Sequence, residues 1–243
     1  MPIIKLNATD STNNYLKRLT ANQVLEDGTV VVTDFQTSGR GQMGTIWTSE
    51  ASKNLMFSIL KDVSWLPIDR SYYISMATAL AIIKTLHRFK IPKLHIKWPN
   101  DILSEELKIC GVLIENVIKQ NQLNKSIIGI GLNVNQTNFT GLPKASSLHL
   151  ISGAVFKLDE LLQTLKTDLN VYFKLLEKGK YQELKVAYEK ALFRKDKPST
   201  FKNAEGVMFS GFIKGVANSG NLQVLVENQA VQEFDLKQIQ LLY

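Results

Sequence analysis

The sequence predicts an α+β protein: a mixed β-sheet flanked by helices, followed by a small all-β tail. Three observations carry this. Runs of β-branched residues such as Thr29 to Phe35 (TVVVTDF) alternate with amphipathic stretches at helical spacing. Leu158, Leu161, Leu162, Leu165, Leu169, Tyr172, Phe173 and Leu176 recur with the period of one long helix. Beyond Lys195-Asp196-Lys197-Pro198 that periodicity stops, and short strand-like runs follow one another.

In chain order, Asp10-Ser11-Thr12 reads as the cap of an amphipathic helix carrying Tyr15, Leu16 and Leu19. TVVVTDF and Leu55 to Leu60 (LMFSIL) read as buried strands. Asp69 is placed to cap a long helix running to Phe89, with Ile74, Ala77, Ala81 and Ile82 on its apolar face. Leu94 to Trp98 alternates like a strand. Ile109 to Asn116 and Ile127 to Val134 read as strands, paired across the polar KQNQLNK segment. Gly179 is a C′ stop for the leucine-rich helix, and a second helix spans about Tyr181 to Phe193. In the tail, Gly206 to Val216, Leu222 to Glu227 and Ala230 to Phe234 read as strands. The turn signals Asn218-Ser219-Gly220-Asn221 and Glu227-Asn228-Gln229 separate them. We expect a main domain over 1–195 and a C-terminal domain over 196–243, the latter too small to stand alone and docked on the former.

Composition excludes several classes. With 243 residues, 44% hydrophobic and 21% charged, the chain is ordinary for a soluble globular protein. No stretch approaches the roughly 20 apolar residues of a membrane span, and MPIIKLNATDSTNN lacks the apolar core of a secretory signal. Cys110 is the only cysteine, so no intrachain disulfide forms, and a cytoplasmic location is expected. His87, His95 and His149 have no metal-ligand spacing. The net charge of +7 suits an anionic partner, but the lysines are spread along the chain. A nucleic-acid module would cluster its cations on the β tail, which beyond Pro198 has only Lys202, Lys214 and Lys237.

Gly39-Arg40-Gly41-Gln42-Met43-Gly44 fits G-x-G-x-x-G, a pattern shared with dinucleotide-binding loops. Such loops need a preceding strand and a helix opening on the glycines, whose N–H groups hold the pyrophosphate. The strand is there. The residues that follow, Thr45 to Ser49, read as strand or loop, so the dinucleotide reading fails. What remains is a glycine-rich loop presenting Arg40, a planar fork for carboxylate or phosphate, with Trp47 available to stack.

Three further segments point to a ligand site. Lys97-Trp98-Pro99-Asn100-Asp101 ends a strand with a cation, an aromatic, a rigid turn and two oxygen-bearing side chains. Lys108 stands at the mouth of the strand ICGVLIE. Gly129-Ile130-Gly131-Leu132-Asn133-Val134-Asn135 puts two glycines inside a strand, where glycine marks close approach of a ligand or another backbone.

Together these segments resemble the biotin–protein ligases over essentially the whole chain. The matching pieces are Ser11-Thr12-Asn13, Gln36, Gly39-Arg40-Gly41, Trp47, KWPND at 97–101, Lys108 with Gly111, and GIGLNVN at 129–135. The resemblance implies the class II aminoacyl-tRNA synthetase-like fold of that family with an SH3-like C-terminal β-barrel. It implies ATP and biotin as substrates with Mg²⁺ assisting. Biotinyl-AMP would form first, and a lysine on the biotin carrier domain of acetyl-CoA carboxylase, or of another biotin-dependent carboxylase, would accept the biotin. By the same resemblance Lys108, Arg40 and Asp101 are catalytic. Ser11, Thr12, Asn13, Gln36, Gly39, Arg40, Gly41, Gln42, Lys108, Gly111, Gly129 and Gly131 hold biotin. Arg40, Trp47, Lys97, Asn100, Lys108 and Asn133 hold ATP, and Asp101 meets the metal directly or through water.

The chain departs from the family at Gln42, Met43 and Thr45, where many members carry arginines. We expect the loop to rely more on Lys97 and Lys108 to retain the adenylate. Ser11-Thr12-Asn13 begins almost at once, so no DNA-binding winged helix and no DNA partner are expected; a homodimer is left open. The competing reading is a lipoate ligase or octanoyltransferase of related fold, some of which use a cysteine nucleophile. Cys110, in ICGVLI, reads as a small buried apolar residue instead.

Overall fold

The computed structural model describes residues 2–227 and 230–243. The first sheet contains β1 (Ile3–Thr9), β2 (Val30–Gln36), β3 (Leu55–Asp62), β4 (Leu94–Lys97), β5 (Asp101–Ser104), β6 (Leu107–Lys119) and β7 (Gln122–Leu132). The second contains β8 (Pro198–Asn203), β9 (Met208–Val216), β10 (Leu222–Val226), β11 (Val231–Phe234) and β12 (Ile239–Leu242). The helices are α1 (Thr12–Asn22), α2 (Tyr72–Arg88), α3 (Leu148–Ser152), α4 (Leu158–Glu177) and α5 (Tyr181–Lys190). No helix among the described residues is long and apolar enough to cross a membrane.

The seven strands lie in the order β1-β2-β3-β7-β6-β5-β4, parallel only at β1–β2, which makes the sheet mixed. Alternation sorts its side chains onto two faces. Leu55, Phe57 and Ile59 of β3 join Cys110, Val112, Ile128 and Ile130 in the main core, covered by α2 and α4. The opposite face is covered by α1 only over β2, β3 and β7, where Leu16, Val31, Leu60 and Ile127 form a smaller cluster. The rest of that face is open to the site.

Four expectations need correction. Asp69 does not cap the long helix: it sits in a 3-10 turn, Ile68–Arg70, and Ser71 precedes α2. The pairing across KQNQLNK holds as a hairpin, but the strands reach further into that segment than expected: β6 and β7 run on to Lys119 and Gln122, with a turn at Gln120 and Asn121, both at positive φ. The tail has five strands, not three, since β8 and β12 were not legible as runs, and β9 starts at Met208, after a turn at Gly206. The second helix stops at Lys190 rather than near Phe193. Gly179 does end α4, at φ 68°. Of the expected turn at Glu227-Asn228-Gln229, Asn228 and Gln229 lie outside the described residues.

The two sheets meet around Trp98. Its indole N–H donates to the Gly220 carbonyl at 2.8 Å, and Tyr73 Oη donates to Asn218 Oδ1 at 3.1 Å. A Cβ on Gly220 would stand 2.3 Å from the Tyr72 ring, so the β9–β10 turn seats directly on α2.

Helices α2 and α4 are tied by Asp168, which is 2% exposed and accepts from Thr85 Oγ1 and Arg88 Nη2, each at 2.9 Å. Replacing it leaves a buried hydroxyl without its partner, at a cost of about 1–3 kcal/mol. Urea unfolding is expected to show that loss for Asp168→Ala, whereas Asp159→Ala, which removes an exposed pair with Lys5, stays within about 1 kcal/mol of wild type.

Candidate active site

The site lies on the open face of the first sheet, where β6 and β7 carry glycines. Gly111 pairs with Gly131 across these strands, and Gly129 lies two residues along the same face. Bare backbone here lets other groups approach closely. A Cβ on Gly131 would stand 2.6 Å from Trp47 Cε2, one on Gly111 3.0 Å from Trp47 Cζ3, and one on Gly129 2.3 Å from Asn13 Oδ1. The Trp47 indole therefore lies against the glycine floor, and its N–H is buried without a hydrogen-bond partner.

The sequence before α1 supplies the polar end. Asp10 accepts from Asn14 and Arg18 and so fixes the start of the helix; the Arg18 guanidinium holds its carboxyl well below the usual range. Thr12 and Asn13 then point at β3, where Ser58 Oγ lies 2.7 Å from Thr12 Oγ1 and 2.5 Å from Asn13 Oδ1. Gln36, at the end of β2, accepts from the Thr12 N–H at 2.9 Å. These side chains are satisfied by one another, a pre-formed polar corner rather than a mobile one.

The glycine-rich segment folds into a small hairpin. The Trp47 main-chain N–H donates to the Gly39 carbonyl and the Gly41 N–H to the Thr45 carbonyl, with a 3-10 turn at Gln42–Gly44. The next element after that turn is the strand β3 rather than a helix, in keeping with the failed dinucleotide pattern. A Cβ at Gly39 would lie 2.3 Å from the Trp47 carbonyl oxygen, so this glycine serves the hairpin. Arg40 Nη2 is bound to Glu115 Oε2 at 2.8 Å, and Asn13 donates to the same oxygen at 2.9 Å. Burial pushes the Glu115 carboxyl up, but the hydrogen bonds from Asn13 and Arg40 hold it below its ordinary value. Glu115 was not singled out from the sequence; its place on the glycine face of β6, four residues after Gly111, was the available signal.

The cationic end is built by a bulge. Between β5 and β6 the register shifts, so that Ile102 faces Cys110 while Leu103 faces Lys108. The extra residue turns Lys108 to the face of Gly111, with Nζ 3.5 Å from a Cβ built there. Lys108 Nζ lies 2.6 Å from Asp101 Oδ1 and 5.7 Å from the Trp47 ring centre. Lys97 Nζ lies 3.8 Å from Asp101 Oδ2, and burial lowers its affinity for the proton. Cys110 faces the other way, fully buried, and burial pushes its thiol far above the usual range.

One cavity of about 870 Å³ gathers these groups. Its wall includes Ser11, Thr12, Asn13, Gln36, Arg40, Gly41, Gln42, Trp47, Lys97, Asn100, Asp101, Lys108, Gly111, Gly129 and Gly131. Two expected site residues stand apart. Gly39 is not on the wall, and neither is Asn133, which is 4% exposed and donates to the Ser146 carbonyl at 3.0 Å. Asn100 reaches the wall, but its side chain donates to the Val112 carbonyl at 2.7 Å and splints β5 to β6.

Comparison with known proteins agrees with this geometry. The model of the biotin/lipoate A/B protein ligase family matches residues 6–133, more than half of the chain, and the chain belongs to that family. The bifunctional ligase/repressor BirA of Bacillus subtilis is 34% identical over 131 residues, 54% of this chain and 39% of the relative. The biotin–[acetyl-CoA-carboxylase] ligase of Mycobacterium tuberculosis is 32% identical over 143 residues, 58% of this chain and 52% of the relative. These matches span about half or less of the curated relatives. Among solved structures, the biotin protein ligase of Aquifex aeolicus in complex with biotin and ATP superposes with a TM-score of 0.82 at 26% identity, covering 99% of this chain and 98% of that one.

The Arg40–Glu115 contact makes the hairpin a latch. Glu115→Gln is expected to open it by about 1.5- to 5-fold, the range of an exposed ion pair. Faster hydrogen exchange at the Gly41 and Trp47 amides checks this. Because the folded Glu115 carboxyl is lowered, the latch holds above its ordinary value of 4.5 and is lost as pH falls through the folded one. Exchange unchanged in Glu115→Gln at pH 7 would show the contact to be idle.

Proposed function

We propose that the chain is an ATP-dependent biotin–protein ligase. It joins biotin to AMP, then transfers the biotinyl group to a lysine of the biotin carrier domain of acetyl-CoA carboxylase or of another biotin-dependent carboxylase. The observation that carries this is the side-chain-free patch of Gly111, Gly129 and Gly131, bounded by the Thr12–Asn13 corner on one side and the Lys108–Asp101 pair on the other. Biotin is an apolar body with a polar ureido head and a carboxylate tail. A flat floor with a fixed polar corner at one end and a cation at the other suits that shape.

In the first step biotin's carboxylate oxygen attacks the α-phosphorus of ATP and pyrophosphate leaves. Two anions must meet, and Lys108 stands where the glycine floor ends, oriented by Asp101 to neutralise charge developing on the α-phosphate. Arg40, once released from Glu115, closes over the anhydride, and Trp47 lifts from the floor to make room. In the second step the carrier lysine's amine attacks the anhydride carbonyl, and AMP leaves. Among the described residues no group of three or more His, Cys, Asp or Glu side chains is placed to hold a metal ion, and Asp101 is the single acidic side chain on the cavity wall. This donor set fits a magnesium ion that comes with the nucleotide's phosphates rather than one held by protein alone.

Biotin-dependent exchange of labelled pyrophosphate into ATP tests the reading, with lipoate as the rival substrate. Exchange with lipoate alone, or with neither acid, overturns it. Lys108→Ala is expected to lower kcat by about 100-fold or more. Cys110→Ser should stay largely active, since its buried thiol serves no nucleophilic step.

The neutral Gln42 gives a second expectation. Gln42→Arg should release biotinyl-AMP more slowly than wild type, measured as adenylate escaping into a chase of unlabelled substrate. Release as fast as wild type would mean that the loop does not set retention.

A further inference from the structure

We propose that Lys144 and the aromatic ring of Tyr243 complete a subsite for the two phosphates that leave as pyrophosphate, so that the C-terminal sheet supplies one wall of the nucleotide site. The inference rests on the ligase reading and extends it to residues that no motif marks.

The groups form a continuous file. From the glycine floor the sequence of contacts runs Trp47, Lys108, Asp101, Lys97, Tyr243, Lys144. Lys97 Nζ lies 5.0 Å from the Tyr243 ring centre and Lys144 Nζ 4.1 Å from it. One ring therefore steadies two ammonium groups by its electron-rich face. The ring is itself held edge-on against Phe193, 5.1 Å between centres. Lys144 is tied to the catalytic end through its backbone: its carbonyl accepts from the Lys108 N–H at 2.7 Å, and the Lys108 carbonyl accepts from the Ser146 N–H at 3.0 Å. Its ammonium also donates to the Tyr243 main-chain oxygen.

Charge fixes the kind of ligand. Lys97, Lys108, Lys144, Lys202 and Lys237 all line the cavity, and among the described residues Asp101 is the one acidic side chain on its wall. Asp101 is shared by Lys108 and Lys97, whereas the Lys144 ammonium donates to the Tyr243 main-chain oxygen. Glu106 lies close enough to act on the Tyr243 hydroxyl, but it is not on the wall. Clustered ammonium groups with so little compensation favour a polyanion. The reaction makes one at this end: as the carboxylate oxygen bonds to the α-phosphorus, the bond to the bridging oxygen breaks. Its electron pair leaves with pyrophosphate, which gains negative charge.

Calorimetric titration of inorganic pyrophosphate into the full chain tests this without turnover. Lys144→Gln and Tyr243→Leu are each expected to weaken pyrophosphate binding and raise KM for ATP by about tenfold, the worth of one charge-assisted contact, with biotin affinity unchanged. Tyr243→Phe, which keeps the ring, should restore most of what Tyr243→Leu loses. Wild-type affinity for pyrophosphate and ATP in both variants overturns the proposal, including the case where only transfer to the carrier slows and the lysines instead meet an acidic carrier surface. A wild-type chain that binds pyrophosphate but shows no biotin-dependent exchange would sink the ligase reading and leave the anion site standing. A wild-type chain that exchanges with biotin, with both variants matching its affinity for pyrophosphate and ATP, would do the reverse.

Discussion

Three glycines strip the side chains from one patch of the two central strands, and the rest of the site is arranged around that bareness. Gly111 and Gly131 face each other across β6 and β7, and Gly129 extends the gap toward α1. A Cβ at Gly129 or Gly131 would collide with Asn13 or Trp47, and one at Gly111 would press tightly on Trp47. Glycine inside a strand costs stability, because it has no side chain to pack and loses the most backbone freedom on folding. The large core on the opposite face offsets that cost. Phe57, Ile128, Ile130, Cys110 and Val112 are buried there under α2 and α4. One face of the sheet thus stabilises the fold, and the other is left free for binding.

The polar groups around the patch differ in how far they are committed. At the α1 end, Thr12, Asn13, Ser58 and Gln36 already satisfy each other, so the corner is rigid before a ligand arrives. At the other end, two lysines share one aspartate and burial works against the charge on Lys97. That arrangement is short of negative charge. Under the proposed function an arriving phosphate would supply it, which is how a site can favour an anion without a dedicated anion cage.

Legibility in the sequence followed periodicity. The glycine-bearing β7 strand, the leucine-rich α4 and the KWPND turn were plain because each carries a strong local pattern. β1, β5, β8 and β12 were not, because three of them have four to six residues and β1 is a mostly solvent-facing edge with a weak alternation. Asn133 matched a motif yet holds the Ser146 carbonyl, because a motif fixes residue type and not what a side chain is used for. Glu115, Lys144 and Tyr243 come from three distant stretches, and only the folded chain shows that Glu115 meets Arg40 and that the Tyr243 ring meets both Lys97 and Lys144. The bulge that turns Lys108 to the working face is a register property, invisible in the letters KICG.

The hairpin brings these threads to one exchange. Arg40 has a partner in the ligand-free chain, the Glu115 carboxylate at 2.8 Å. A ligand that needs the guanidinium must displace Glu115, so closure over the proposed adenylate would substitute one anion for another rather than add a new attraction. The difference between two such pairs is small when both are partly exposed. With Gln42 and Met43 neutral, and Met43 and Ile46 turned to solvent, the hairpin has no second cation to add to that difference. What holds the intermediate must then come from the floor side, where Lys108 and Lys97 are fixed by Asp101 and by their strands. Under the proposed function, the loop would shield the bond and the sheet would retain it.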